Sequence, residues 1–272
     1  MPSAGSTPFA FPDFRGATRR LVLWNLAAYF LLALAQLALH PEIPFVFRFG
    51  FLSSLFFHGA LWQPFTYSFV HIGILGTLLE LLSLWFIAGF LENFHKPAWV
   101  IGLYAVSVLG AAAAATAIYA CAHALGFSAA EYPLTGCFGG IFGLLAAIGV
   151  LYGDVQFMLF PLPIGIKARH LVMVFALVAV AMLFFGEQRI YAFAELGGAL
   201  AGLAYIRMAP RRGLSLGFSE RWFALRNRYY RWKRRRAARK FEVYMRSQGR
   251  NVRLDGQGRQ IDDDANDKSR WN

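Results

Sequence analysis

Six apolar segments constrain this chain more than any other feature of its sequence. A helix that crosses a bilayer needs about 20 predominantly apolar residues, and six stretches approach that length: 21–39, 72–91, 98–125, 136–152, 171–185 and 190–208. Charged residues make up 15% of the 272 residues, whereas a soluble domain carries about 25%. The sequence therefore predicts an all-α membrane protein with six transmembrane helices, and it excludes a soluble role.

The charges are divided unevenly along the chain. Residues 1–206 carry eight Lys/Arg and eight Asp/Glu, residues 207–253 carry sixteen basic and two acidic residues, and residues 254–272 carry three basic and five acidic residues. A neutral apolar block is thus followed by a cationic tail. We expect a flexible segment over 1–18, a six-span membrane domain over 19–208, a basic juxtamembrane segment over 209–250 and a flexible polar tail over 251–272.

Charges in the loops predict how the six helices are oriented. If both termini lie inside, the outside loops hold only Arg48 and Arg189, and the inside segments hold the other basic residues of the membrane domain: Arg15, Arg19, Arg20, Lys96, Lys167 and Arg169. Cytoplasmic loops carry an excess of Lys and Arg, so both termini are predicted to be cytoplasmic, in a bacterial inner membrane. No small-residue cleavage site follows the first apolar run, which favours a retained span over a secretory signal.

Two segments outside the spans are expected to contact the bilayer surface. The first external loop, residues 40–64, is mostly apolar but interrupted by Pro and Gly, which favours an amphipathic segment in the interface. Trp62 and Tyr67 are expected to be interfacial anchors. Aromatic and basic residues are interleaved over residues 221–246, and such clusters attract anionic lipid. Lipid contact is therefore favoured over a protein or RNA partner for the tail.

Between the fourth and fifth spans, residues 160–169 are expected to form a short loop.

Four motifs occur in order along the apolar block. They are WQPFTYSFVH at 62–71, LLSLWFIAGFLE at 81–92, GCFGGIFGLLAA at 136–147 and ELGGALAGL at 195–203. Together they resemble the rhomboid intramembrane proteases over roughly residues 20–208. Pairs of small residues pack many unrelated helices, so the order of the motifs makes the resemblance specific. It implies a rhomboid-like bundle of six transmembrane helices.

The resemblance also implies where a catalytic site would lie. In rhomboids the fourth span carries G-x-S-G-x-x-x-G with the nucleophilic serine, the sixth span carries a general-base histidine before G-x-x-x-G, and a His-x-x-x-Asn pair on the second span stabilises the oxyanion. The matching positions here are Phe138, Glu195, and Gly76 with Glu80. Phe138 offers no nucleophile, and an ionised Glu80 would repel an oxyanion. The implied function is a pseudoprotease that binds transmembrane client proteins, with no cofactor or metal.

Two other functions stay open at this point. One is an intramembrane endopeptidase of the serine type, or a thiol variant that uses Cys137 and His71, although a helix would turn Cys137 about 100° away from the direction of Phe138. The other is a proton- or cation-responsive protein in which Glu80 and Glu195 form a buried carboxylate pair, because charged groups at membrane depth mark function. Alternatively, each glutamate bonds to a neighbour such as Tyr67.

Small residues in the spans are expected to have packing roles. Five glycines at helical spacing would let the fourth and sixth spans approach closely: Gly136, Gly139, Gly143, Gly198 and Gly202. Cys121 and Cys137 both lie in apolar segments and are expected to be small buried side chains.

Overall fold

The computed structural model describes residues 12–127, 131–159, 164–185 and 189–208, and in the C-terminal segment 226–233, 236–237, 241 and 244–248. The chain divides into two units, Met1–Leu214 and Ser215–Asn272. The flexible segment predicted over 1–18 lies outside the described residues up to residue 11. Most of the predicted basic segment and the whole polar tail over 251–272 also lie outside them.

Helices dominate the first unit. Six long helices follow the six apolar segments of the sequence: α1 Gly16–Leu39, α5 Ile74–Glu92, α6 Pro97–Ala124, α7 Phe138–Leu151, α8 Ala168–Phe185 and α9 Arg189–Met208. Three short helices lie between α1 and α5: α2 Phe45–Phe49, α3 Ser53–Phe57 and α4 Gln63–Thr66. A 3₁₀ turn, Tyr67–Phe69, follows α4 directly. The prediction of a predominantly helical membrane protein is therefore confirmed.

Four of the helices are long and apolar enough to cross a membrane, namely α1, α5, α6 and α8. The apolar helix α7 has only 14 residues. The 20-residue helix α9 carries Arg189, Glu195 and Arg207 and is less apolar. On α1 and α8 large apolar side chains face outward, such as Leu34 and Leu177. Helices with outward apolar faces are suited to the hydrocarbon of a bilayer, so the first unit is an integral membrane domain.

Helix α7 is buried almost all round. Ten consecutive residues, from Gly139 to Ile148, are buried, which is the pattern of a helix surrounded by other helices. Helices α6 and α9 both pack against it. The alanine-rich helix α6 supplies Ala111, Ala112 and Ala115, all of them buried. Small side chains on α6 let neighbouring backbones come close.

The start of α1 is held by a residue 74 positions further along the chain. The carboxylate of Glu92, the last residue of α5, accepts hydrogen bonds from the Ala17 N–H at 2.8 Å and the Thr18 N–H at 2.9 Å. The Thr18 hydroxyl donates to the same carboxylate at 2.7 Å. The first N–H groups of a helix lack internal partners, and Glu92 supplies them. This contact explains why α1 begins five residues before the predicted span.

The first loop is folded against the helices. Leu52 N–H donates to the buried Gln63 side chain at 3.1 Å, and the Gln63 amide donates to the Phe47 carbonyl at 3.2 Å. An isolated β-bridge joins Phe51 to Leu134. Trp62 is 49% exposed, whereas Tyr67 is 1% exposed and donates to the Val108 carbonyl at 2.8 Å. The prediction of Tyr67 as an interfacial anchor is therefore wrong, since its hydroxyl bonds to α6 inside the bundle.

Two short strands lie between α7 and α8, where only a loop was predicted. Strand β1, Gln156–Leu159, pairs antiparallel with β2, Ile164–Lys167, and Gln156 stands opposite Lys167. Asp154 forms ion pairs with Lys167 at 3.7 Å and with Arg169. The pairing was not predicted because the sequence between the two strands contains Pro161 and Pro163, and prolines normally interrupt strands.

An aromatic group surrounds His95, between α5 and α6. The His95 ring stacks on Trp99, with ring centroids 3.8 Å apart, and its Nε2 lies 3.0 Å from the Tyr152 hydroxyl. Burial lowers the pKa of His95 and raises the pKa of Tyr152. The surroundings therefore favour a neutral imidazole.

Most of the described residues of the second unit are helical and exposed. Tyr229, Tyr230 and Trp232 are about half exposed. The guanidinium of Arg236 lies 5.5 Å from the Trp232 ring, within the range of a cation–π contact.

Candidate functional site

The candidate site lies where the chain enters α7. Gly136 has φ +85°, and its N–H donates to the Val70 carbonyl at 2.7 Å. A Cβ at this position would lie 2.6 Å from the Glu80 carboxylate. Gly136 was predicted to lie on the packing face of the helix. This prediction is wrong, because α7 begins only at Phe138. The role of Gly136 is a left-handed turn beside a carboxylate, and both features favour glycine.

Phe138 is the first residue of α7. Its side chain is half-buried and packs against the apolar core of the bundle. The residue before it, Cys137, occupies the N-cap position and is fully buried. At the N-cap the Cys137 backbone has φ −95° and ψ 12°, outside the regular helix. The predicted angle of about 100° between the two side chains assumed a helical backbone and does not apply here.

Helices α7 and α9 meet through facing glycines. A Cβ on Gly198 would overlap the Gly139 carbonyl, and a Cβ on Gly202 would lie 2.7 Å from the Gly143 Cα. Matching steps of four residues show that the two helices run in the same direction. Phe138 directly precedes Gly139, and Glu195 lies about one turn before Gly198. Phe138 and Glu195 therefore lie at the same end of the interface between α7 and α9.

Two further glycines that the sequence analysis missed join α6 to α9. A Cβ on Gly197 would lie 3.0 Å from the Gly110 carbonyl, and a Cβ on Gly110 would lie 3.1 Å from the Gly197 carbonyl. The adjacent glycines Gly197 and Gly198 thus serve two different neighbours, α6 and α7. The sequence signal that could have identified Gly197 is the pair of adjacent glycines in ELGGALAGL.

Glu80 points toward the start of α7. Its Oε2 accepts the Cys137 N–H at 3.0 Å and lies 3.6 Å from the Cys137 Sγ and 3.3 Å from the His71 Nε2. Ligand atoms of His71, Glu80 and Cys137 all lie within 4.8 Å of one another. The predicted bond between Glu80 and Tyr67 is absent from the described residues, since Tyr67 donates to Val108.

Glu195, Gly76 and Cys121 are not among the clustered ligands of the described residues. Glu195 is half-buried on α9 and is not among the clustered ligands of the described residues, so Glu80 is grouped with a histidine and a thiol instead of a second carboxylate. Gly76 is exposed on α5, with open space where a side chain would project. Cys121 is exposed near the end of α6, and its prediction as a buried residue is wrong.

Two hydroxyl groups, those of Tyr191 and Thr135, connect the start of α9 to the segment that leads into α7. The Tyr191 hydroxyl donates to the Pro133 carbonyl at 2.9 Å and lies 3.1 Å from the Thr135 hydroxyl. Tyr191 lies near the start of α9, and Thr135 lies in the segment that leads into α7. These contacts fix that segment, and with it Gly136 and Cys137, against the bundle.

Apolar helices around a buried α7 and close glycine contacts define a helical integral membrane protein with a polar cluster inside. The family model described as Rhomboid domain matches residues 58–212. This match covers more than half of the chain and includes α5 to α9. The chain therefore belongs to the rhomboid family, which confirms the resemblance read from the four motifs. Comparison with curated proteins gave no match.

Proposed function

We propose that this rhomboid-family protein is a pseudoprotease that binds transmembrane segments of client proteins without cleaving them. The observation that carries the proposal is Phe138 at the first position of α7. In the rhomboid proteases that this chain resembles, the matching position holds the nucleophilic serine. The phenyl ring packs into the bundle and has no atom that could attack a peptide carbonyl. Loss of the nucleophile of a serine hydrolase lowers its rate by several orders of magnitude.

The surroundings of Phe138 add to this argument. An oxyanion hole needs free donors aimed at the developing negative charge. The Cys137 N–H already donates to Glu80, and Gly76 has no side chain that could donate. Glu195 replaces the general base, but no serine hydroxyl stands at position 138 for it to activate. All four positions that match catalytic residues in the family are therefore unsuited to the serine mechanism.

The proposed topology has six spans in a bacterial inner membrane, with both termini in the cytoplasm. The distribution of Lys and Arg supports this orientation. Six spans require α7 and α9 to cross together with the four longer or more apolar helices. The short α7 is buried by its neighbours along ten residues, so it needs little lipid contact. The basic segment over 209–250, which follows the membrane domain of residues 19–208 in sequence, would bind anionic lipids.

Client binding can be tested by crosslinking from Gly76. A photoreactive amino acid at residue 76 would project into open space on α5, about one turn before Glu80. Placed at Leu34, which is 63% exposed on α1, the same residue reports ordinary membrane neighbours. We expect crosslinks to intact single-span proteins that are enriched at residue 76 over residue 34. Equal profiles at the two positions, or crosslinked products shortened by cleavage, would contradict the proposal.

A thiol protease is the second candidate, because the Cys137 thiol, the His71 imidazole and the Glu80 carboxylate lie together. Cysteine nucleophiles are activated by a neighbouring base. In this structure Cys137 is fully buried and bonds to a carboxylate, and an anion beside a thiol opposes formation of the thiolate. Cleavage of a model transmembrane substrate that is abolished by Cys137→Ala but not by Cys121→Ala would establish this alternative.

A further inference from the structure

We propose that His71, Glu80 and Cys137 form a binding site for a thiophilic divalent cation, with Zn²⁺ as the best match. This inference goes beyond client binding and does not depend on it. The three side chains supply an imidazole nitrogen, a carboxylate oxygen and a sulfur, which are the three kinds of atom that bind zinc in proteins. Three protein ligands with a fourth position open to water are the usual composition of an accessible zinc site.

The distances between the donor atoms suit a single small ion. In a tetrahedral site with bonds of about 2.0–2.3 Å, the ligand atoms lie about 3.3–3.7 Å apart. Here His71 Nε2 and Glu80 Oε2 are 3.3 Å apart, and Cys137 Sγ and Glu80 Oε2 are 3.6 Å apart. The third separation is no more than 4.8 Å. A small rotation of the imidazole or the thiol would close the triangle around an ion.

The imidazole of His71 is the second observation that points to a ligand. Its side chain is 0% exposed, and neither ring nitrogen makes a well-aligned hydrogen bond to the described residues. Buried polar groups are normally bonded. In the described part of the chain, the Nε2 nitrogen contacts the Glu80 carboxylate at 3.3 Å, but this contact is not a well-aligned hydrogen bond, so a metal would supply the bond that this nitrogen does not make. The Phe69 backbone interacts with the ring, and backbone carbonyls commonly orient the histidines that bind metals.

Charge balance favours a dication at this position. A carboxylate and a thiolate together carry two negative charges in a bundle of apolar helices, where unpaired charge is costly. A Zn²⁺ ion would neutralise both, and the thiol proton would pass to the solvent on binding. Glu80 is the most accessible of the three ligands, with its side chain 13% exposed. An ion would reach the site from this side. The bound ion would join His71, three residues before α5, and Glu80 on α5 to the N-cap of α7.

The test uses the full-length protein in detergent after treatment with a chelator. Titration with Co²⁺ should give one bound ion with the absorption of a tetrahedral site and a thiolate-to-cobalt charge-transfer band. Zn²⁺ should displace it. Cys137→Ser should remove the charge-transfer band, and His71→Gln and Glu80→Gln should each weaken Zn²⁺ binding at least about tenfold. Matched controls at exposed positions, Cys121→Ser, His123→Gln and Glu42→Gln, should leave binding unchanged.

A second measurement avoids substitutions at the site. In the Cys121→Ser protein, Cys137 is the only remaining thiol, and Zn²⁺ should slow its alkylation under partly denaturing conditions. The proposal is overturned if Co²⁺ shows no thiolate band, or if Zn²⁺ fails to protect Cys137. It is also overturned if the control variants lose binding as much as the site variants. None of these outcomes depends on clients or proteolysis, so client binding is tested separately.

Discussion

Single glycines decide how closely the helices at the centre of this protein approach. Gly198 lies against the Gly139 backbone, whereas Gly76 faces open space on α5. The same substitution should therefore have opposite consequences at the two positions. Glycine is poor in a helix unless a close contact requires it.

We expect Gly198→Ala to destabilise the protein by about 1–3 kcal/mol, because the new methyl group overlaps the Gly139 carbonyl. Gly76→Ala should be neutral or stabilising by up to about 1 kcal/mol, since alanine is the better helix former. Thermal unfolding of both variants in the same detergent measures the difference. Equal losses of stability would show that α7 and α9 do not pack through Gly198.

At the scale of helices, Glu92 joins two elements that are far apart in sequence. Its carboxylate accepts two backbone N–H groups and one hydroxyl at the start of α1. Glu92→Gln removes the negative charge that the helix N-terminus favours and one acceptor oxygen. We expect a loss of about 0.5–2 kcal/mol in the free energy of unfolding.

The control for Glu92 is Glu42→Gln, at an exposed position between α1 and α2, which should change stability little. Hydrogen exchange gives a local readout, because the amides of Ala17 and Thr18 should lose protection in Glu92→Gln before the rest of α1 does. Unchanged protection of these amides would contradict the capping role.

The connection between α5 and α6 should make stability depend on pH. Burial lowers the pKa of His95, so the folded state favours the neutral ring. The contribution of this ring to stability is complete above its ordinary pKa of about 6.5. It is lost as the pH falls below that value toward the lower pKa of the folded state.

The melting temperature should therefore fall between about pH 7 and pH 5, and His95→Gln should make this fall smaller. The exposed His123 provides the control, because His123→Gln should keep the slope of the wild type. A slope that is unchanged in His95→Gln would assign the pH dependence to other groups.

The elements of this molecule could be predicted from sequence more fully than the contacts between them. Length and apolar content located the six long helices, and the order of four motifs identified the family. The glycine spacing suggested a contact between α7 and α9, but it placed Gly136 on the helix face. The left-handed turn at Gly136 lies against the carboxylate of Glu80, which is 56 residues earlier, and no local pattern carries that information.

Long-range partners explain the other differences. Tyr67 has the sequence context of an interfacial residue, but the Val108 carbonyl on α6 gives its hydroxyl a buried partner. Glu80 was grouped with Glu195 because both are charged residues in apolar segments. Its neighbours in space are His71 and Cys137, which required the register of α5 against α7. Each case depends on packing between helices, which composition and spacing do not specify.

At the scale of the whole molecule, the chain belongs to the rhomboid family, and the proposed pseudoprotease would differ from its active relatives in the residues at the catalytic positions. Close contacts among α6, α7 and α9 hold the start of α7 in place, and Phe138 occupies the first position of that helix. Packing in this structure uses glycines such as Gly139 and Gly198, so the proposed loss of reactive groups would leave the fold intact. Outward apolar faces suit this framework to the bilayer, which is where the proposed transmembrane clients would be available.

The most direct test is proteolysis in reconstituted vesicles. The purified protein is incubated with a single-span model substrate and with a serine-reactive phosphonate probe, next to its Phe138→Ala and Cys137→Ala variants. We expect no cleavage product and no labelling by the probe, while the substrate crosslinks to residue 76. Cleavage by the wild-type protein, or labelling of any serine that tracks with it, would contradict the assignment as a pseudoprotease.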